Sequence, residues 1–88
     1  MLKLGGQIVF VDARGQLHDA LITAIWGEPK DLPCINVVFV STDNAKQDQY
    51  GRQIERETSI VYKEKQSAHG MYYMFHGETP NPYKPAIV

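Results

Sequence analysis

The chain has 88 residues, 43% of them apolar and 22% charged, and nine basic against ten acidic side chains leave a net charge of −1. That length makes one domain with a modest core. The charge balance excludes a whole-molecule electrostatic footprint for nucleic acid, and no stretch approaches the ~18 apolar residues needed to span a bilayer.

Residues 7–12 open the pattern. Ile8 and Phe10 share one face of a strand and Val9 and Val11 the other, so both faces are apolar, as in a central strand of a sheet or barrel. Asp12, Ala13, Arg14 and Gly15 then form a turn between two apolar runs. Gly15 is the residue able to take the positive φ that a hairpin turn demands. Residues 16–26 fit two periodicities. As a helix, Leu17, Ala20, Leu21, Ala24 and Ile25 line one face with Gly27 as C-cap. As a strand, the β-prone Ile22, Thr23, Ile25 and Trp26 find a natural place. The short turn before Leu17 and the missing N-cap favour the strand.

Residues 28–33 are a loop punctuated by Pro29 and Pro33. Residues 35–40 are the clearest strand, dense in β-branched and aromatic side chains. Residues 41–51 are polar and read as a long exposed loop, or as one helical turn capped by Thr42 or Asp43. From Arg52 to Tyr62 a charged half, suited to an edge strand, precedes a β-prone half, with a break expected near Thr58 and Ser59. Residues 71–75 form the last strand. From Gly77 the chain carries Pro80, Pro82 and Pro85 and is expected to be extended and partly loose. The expectation is therefore an all-β fold of five or six short strands, with residues 1–76 as a single small β-barrel domain and 77–88 as a proline-rich tail.

The segment from Gly6 to Asp12, followed by Gly15 and the run from Ala20 to Trp26, resembles the opening hairpin of SH3-like small barrels of the KOW and Tudor type. The resemblance covers residues 5–75. It implies an SH3-like small barrel with a polar insertion at residues 41–51, and a tight turn between the last two strands supplied by Glu57, Thr58, Ser59 and Ile60. The KOW pattern has a glycine in its second strand where Ala20 or Ala24 stands here, so ribosome or RNA-polymerase binding is not carried over. The chain also looks like small barrel-like proteins encoded in tailed-phage and prophage genomes, which implies accessory binding or assembly proteins.

The candidate chemistry is sparse. His18, His69 and His76 lack the short paired spacing of a zinc site and no second cysteine exists, so neither a metal nor another cofactor is expected. Cys34 adjoins the most hydrophobic strand, where a buried, inert thiol is the default. With no partner for an internal disulfide it fits a reducing, cytoplasmic setting, and residues 1–5 lack the apolar run of a signal peptide. Without a phosphate loop or nucleophile motif the chain reads as no enzyme. The binding candidates are Tyr50, Arg52 and Arg56, an aromatic beside two arginines of the kind enriched at protein interfaces, together with Trp26 and Tyr73. Of Tyr72 and Tyr73, which face opposite sides of one strand, only one can join a surface cluster, and the core also has a claim on Trp26. The partner classes are protein or a second copy of the chain, then nucleic acid; no membrane role is indicated.

Overall fold

The computed structural model describes residues 1–66 and 70–83. Five strands close a barrel in the order β1 (Gln7–Val11), β2 (Leu17–Ile25), β3 (Ile35–Val40), β6 (Ile54–Tyr62) and β7 (Tyr72–Met74), while β4 (Gln47–Asp48) and β5 (Gly51–Arg52) form a separate two-stranded arm. The fold is all-β and consistent with a small SH3-like barrel. Among the described residues no helix is long and apolar enough to cross a membrane.

The first hairpin forms as its sequence dictates. Gly15 has φ +81°. The Asp12 carboxylate accepts the backbone N–H groups of Arg14 and Gln16 at 2.8 and 3.0 Å, which satisfies the turn from inside. Residues 17–25 are strand, not helix, pairing with β1 on one side and β3 on the other. Tertiary pairing outweighs the helical periodicity here because both strand edges find partners.

Alternation along the strands sends Ile8, Phe10, Ala20, Ile22, Ile35, Val37 and Phe39 inward, where they meet Ile60, Tyr62 and Tyr73. The opposite faces of β1 and β7 bury Val9, Val11, Tyr72 and Met74 as a second cluster. The chain after β7 runs back along this side. Pro80, Asn81, Pro82 and Tyr83 line one crevice with Val11 and Tyr72, and the Asn81 N–H donates to the Tyr72 hydroxyl at 2.9 Å.

Several expectations are corrected. Residues 41–51 are an insertion outside the barrel, exposed from Thr42 onward as expected, but they hold no helical turn and are not without structure: they form the base, one strand and tip of the β4–β5 arm, which Gln53 N–H closes by donating to the Lys46 carbonyl. No break splits residues 52–62 at Thr58 and Ser59: β6 is one strand with an irregular register opposite Ile35 and Val37, and Ser59 takes φ +56°. The connection between the last two barrel strands is not a tight turn at residues 57–60: it spans residues 63–71, of which 67–69 lie outside the described residues, and opens with the 3-10 turn Lys63–Lys65, and β7 joins β6 in parallel through Val61–Tyr72 and Tyr62–Tyr73 pairs. The start of the tail is extended but tied down. Asn81 donates to the Lys63 carbonyl and to Gln66, and Lys63 donates to the Thr79 carbonyl. The remainder of the tail, from Lys84, lies outside the described residues.

The strap has a pH signature. The Tyr62 hydroxyl donates to the Glu78 carboxylate. That bond pushes the Tyr62 phenol up to about 12 and holds the Glu78 carboxyl below its ordinary value. Below pH about 10 the phenol is neutral in folded and unfolded chains alike, and its contribution is intact. As pH rises from about 10 to about 12 the unfolded phenol ionises first, and the contribution is lost. Glu78 acts in the opposite range, its share disappearing as pH falls through its lowered value. Tyr62→Phe is expected to shrink the alkaline loss of stability in urea melts recorded from about pH 8 to 12. A loss of unchanged size in that variant would refute the strap as its cause.

Candidate functional site

With β1 and β7 covered by the strap of residues 78–83 that follows β7, the part of the barrel wall left bare among the described residues is the outer face of β2, β3 and β6. Its exposure follows from parity. Inward Ala20, Ile22, Val37 and Phe39 leave Leu17, Asp19, Leu21, Val38 and Val40 pointing out, and on β6 Ile54 and Arg56 do the same. Leu17, Leu21, Val40 and Ile54 are respectively 53, 44, 57 and 69% exposed, a concentration that isolated surface apolar residues do not produce. The register aligns Leu21, Val38 and Arg56 across the three strands, and Val40 with Ile54 in the next row.

The arm rises beside this face. Tyr50 at its tip is 88% exposed, with its N–H held by the Asp48 carboxylate. Arg52 turns back to the arm's base, donating to Asn44 Oδ1 at 2.9 Å and to the Ser41 carbonyl at 3.4 Å. It lines a surface groove with Leu17, Asp19 and Val40. Arg56 lies on β6 opposite Val38, exposed to solvent. Arg52 and Arg56 thus border one side of the apolar face, and Tyr50 stands exposed at the tip of the arm that carries Arg52.

Two other candidates are placed differently. Trp26 is exposed rather than in the core, and its indole N–H donates to Asn36 Oδ1 at 2.9 Å. Tyr73 is not a surface residue: it is fully buried, with its hydroxyl donating to the Pro33 carbonyl at 2.7 Å. Tyr72, the other choice, is buried under the strap, so neither tyrosine of β7 reaches a binding surface. Cys34 is half-buried.

The open mouth of the barrel forms a second region. Its floor is Phe10, Phe39 and a buried His18, with ring centroids 4.6–5.5 Å apart. His18 Nε2 meets the Asp12 carboxylate at 2.8 Å. Burial, the largest influence on Asp12, acts to raise its carboxyl, but hydrogen bonds from His18, Gln16 and Arg14 together outweigh it and hold it below its ordinary value. Glu55 and Glu57 reach the mouth from β6. Hydrogen bonds with Ser41 and then with Lys46 hold the Glu55 carboxyl low. The mouth is therefore built largely from polar groups already engaged with one another, and its chemistry is that of a stabilised turn.

Among the described residues no three His, Cys, Asp or Glu side chains are grouped to hold a metal ion. His18 pairs with Asp12, and His76 lies 3.3 Å from Asp19 on the surface; His69 lies outside the described residues. Sequence reasoning missed Asn36, whose side-chain oxygen accepts from both the Trp26 indole and the Ser59 N–H and so ties β2 and β6 across β3. An amide inside the most hydrophobic strand was the available signal. It also missed the apolar outer face, because the cross-strand registers of β2, β3 and β6 assemble it from distant parts of the sequence. No protein-family model, curated protein or solved structure matches the chain.

Proposed function

We propose that this chain is a non-enzymatic protein-interaction or assembly module that works through the outer face of β2, β3 and β6. The observation that carries the reading is the concentration there of Leu17, Leu21, Val40 and Ile54, each between 44 and 69% exposed, on one face of the barrel. The bordering Arg52 and Arg56, with the exposed Tyr50 at the arm tip, supply the residue types enriched in protein contacts. Trp26, just past the end of β2, offers an exposed aromatic. The resemblance to Tudor-type barrels and to phage and prophage accessory proteins supports an assembly role in a host cytoplasm or virion, and the lone Cys34 fits a reducing compartment.

Nucleic acid is the competing partner, favoured by the exposure of Tyr50 beside Arg52 and Arg56. Phosphate binding needs a net positive field, and Asp19 lines the same groove as Arg52. The test is a benzophenone amino acid placed at Val40 or Ile54 and irradiated in the cells that make the protein. Protein adducts are expected from both positions. Adducts with nucleic acid, together with salt-sensitive binding of labelled DNA or RNA abolished by Arg52→Glu and Arg56→Glu, would overturn the reading.

A further inference from the structure

The bare face carries charges of opposite sign on opposite flanks. On β2, Asp19 stands between Leu17 and Leu21; on the β5–β6 side, Ile54 stands between Arg52 and Arg56; and β3 contributes Val38 and Val40 between the two. The registers Ala20–Phe39 and Val40–Ile54 put Asp19, Val40 and Ile54 at one level, with Leu21, Val38 and Arg56 at the next. Levels on one strand face are about 7 Å apart and strands about 4.8 Å apart.

We infer that the partner of this face is a second copy of the same chain, docked face to face about a twofold axis running along β3. This inference rests on the protein-interaction reading above. Such an axis carries β2 of each copy over β6 of the other at the same level. Asp19 then lies over Ile54 and between the two arginines, each about 7 Å away along the strand and within reach of a guanidinium. Val38 and Val40 meet their counterparts at the centre, and Leu17 and Leu21 cover the aliphatic stems of Arg52 and Arg56. Every pairing occurs twice by symmetry, as a self-complementary contact requires.

Charge complementarity selects this occupant. A partner of a single sign satisfies one flank and opposes the other, whereas the face itself, turned over, supplies the arginines for Asp19 and the carboxylate for the arginines. Asp19 is free to be recruited: its side chain is 89% exposed and its contact with His76 is 3.3 Å long. Arg52 keeps its 2.9 Å bond to Asn44 through one guanidinium nitrogen, while the other, whose 3.4 Å contact with the Ser41 carbonyl is weak enough to exchange, is available to the partner's carboxylate.

The experiment is multi-angle light scattering with sedimentation equilibrium on the full chain, from micromolar to millimolar concentration. The expected mass is twice the 10.0 kDa of one chain. Val40→Asp is expected to weaken dimerisation at least about 100-fold without unfolding the protein, since Val40 is more than half exposed. Asp19→Arg alone sets cation against cation, and Arg52→Asp with Arg56→Asp sets anion against anion, so each variant is expected to be monomeric. Mixed together they are expected to form a one-to-one dimer, because one charge contact is then restored with reversed sign and the other keeps the native Asp19-to-arginine pairing. A change that only damages the fold cannot produce that rescue.

A wild-type monomer throughout the range, a dimer indifferent to Val40→Asp, or a mixture that stays monomeric would each overturn the inference. The photocrosslinks at Val40 and Ile54 separate this failure from failure of the broader reading. Adducts to a different protein leave an interaction module with another partner, and adducts to nucleic acid remove both.

Discussion

Tyr73→Ala is expected to cost about 4 kcal/mol of folding stability, within the range for deleting a buried aromatic side chain. The ring is fully buried, with centroids 5.5 Å from Tyr62 and 6.5 Å from Phe75, and its hydroxyl satisfies the Pro33 carbonyl. Its removal leaves a void where β6, β7 and the β2–β3 connection meet, and an acceptor without its donor. A domain of this length has a total stability of about 4–13 kcal/mol at ordinary per-residue values. The variant is therefore expected to melt on the order of 20 °C lower or not to fold at all. Trp26→Ala is expected to change stability by less than about 1 kcal/mol, since it loses one exposed hydrogen bond and little buried surface. Thermal and urea unfolding of the two variants, followed by circular dichroism, measures both effects. Equal losses would contradict the placement of these side chains.

Asp12→Ala is expected to cost about 2–3 kcal/mol, because one carboxylate serves three donors and one of them, His18, is buried against Phe10 and Phe39. Asp12→Asn keeps an oxygen acceptor and is expected to lose about half as much. The lowered Asp12 carboxyl fixes the pH dependence. Its stabilisation is complete above the unfolded value of about 4 and is lost as pH falls through the lower folded value. Urea midpoints measured from about pH 2 to 7 are expected to show this acid loss in the wild type and a smaller one in Asp12→Asn. Identical acid profiles would place the loss elsewhere, for instance at Glu78.

The parts of the fold that were legible in the sequence are those governed by local alternation. The division of Ile8 and Phe10 from Val9 and Val11, the turn at Gly15, and β3 all follow from patterns a few residues long. Trp26 and Tyr73 were harder for a reason visible in the register. Between Ile22 and Ala24 the β2–β3 pairing shifts, which inverts the alternation so that Ile25 packs on the core and Trp26 turns outward. No glycine marks that irregularity. Ser59 marks a second such register shift inside the continuous β6, with a positive φ that no glycine signals. The arm was hidden because Gln49 and Tyr50 at its tip are not the residues that favour a tight hairpin turn. Of the candidate site, Tyr50, Arg52 and Arg56 were recognisable by composition. The apolar face was not, since it is assembled by the cross-strand registers of β2, β3 and β6, which bring Leu21 beside Val38 and Val40 beside Ile54 from distant parts of the sequence.

The barrel closes by pairing its first strand with its last, Val9 with Met74 and Val11 with Tyr72, and the seam is finished by only two parallel pairs between β6 and β7. During synthesis, then, β1 has one edge with no partner until residues 72–74 have been made. The β1–β2–β3 meander must wait with Val9 and Val11 uncovered and backbone groups unpaired, a state prone to aggregation. Folding set by such a distant pairing belongs among the slower small domains, on the millisecond-to-second scale. Nascent chains stalled before Tyr72 would thus be the form of this protein most in need of a chaperone.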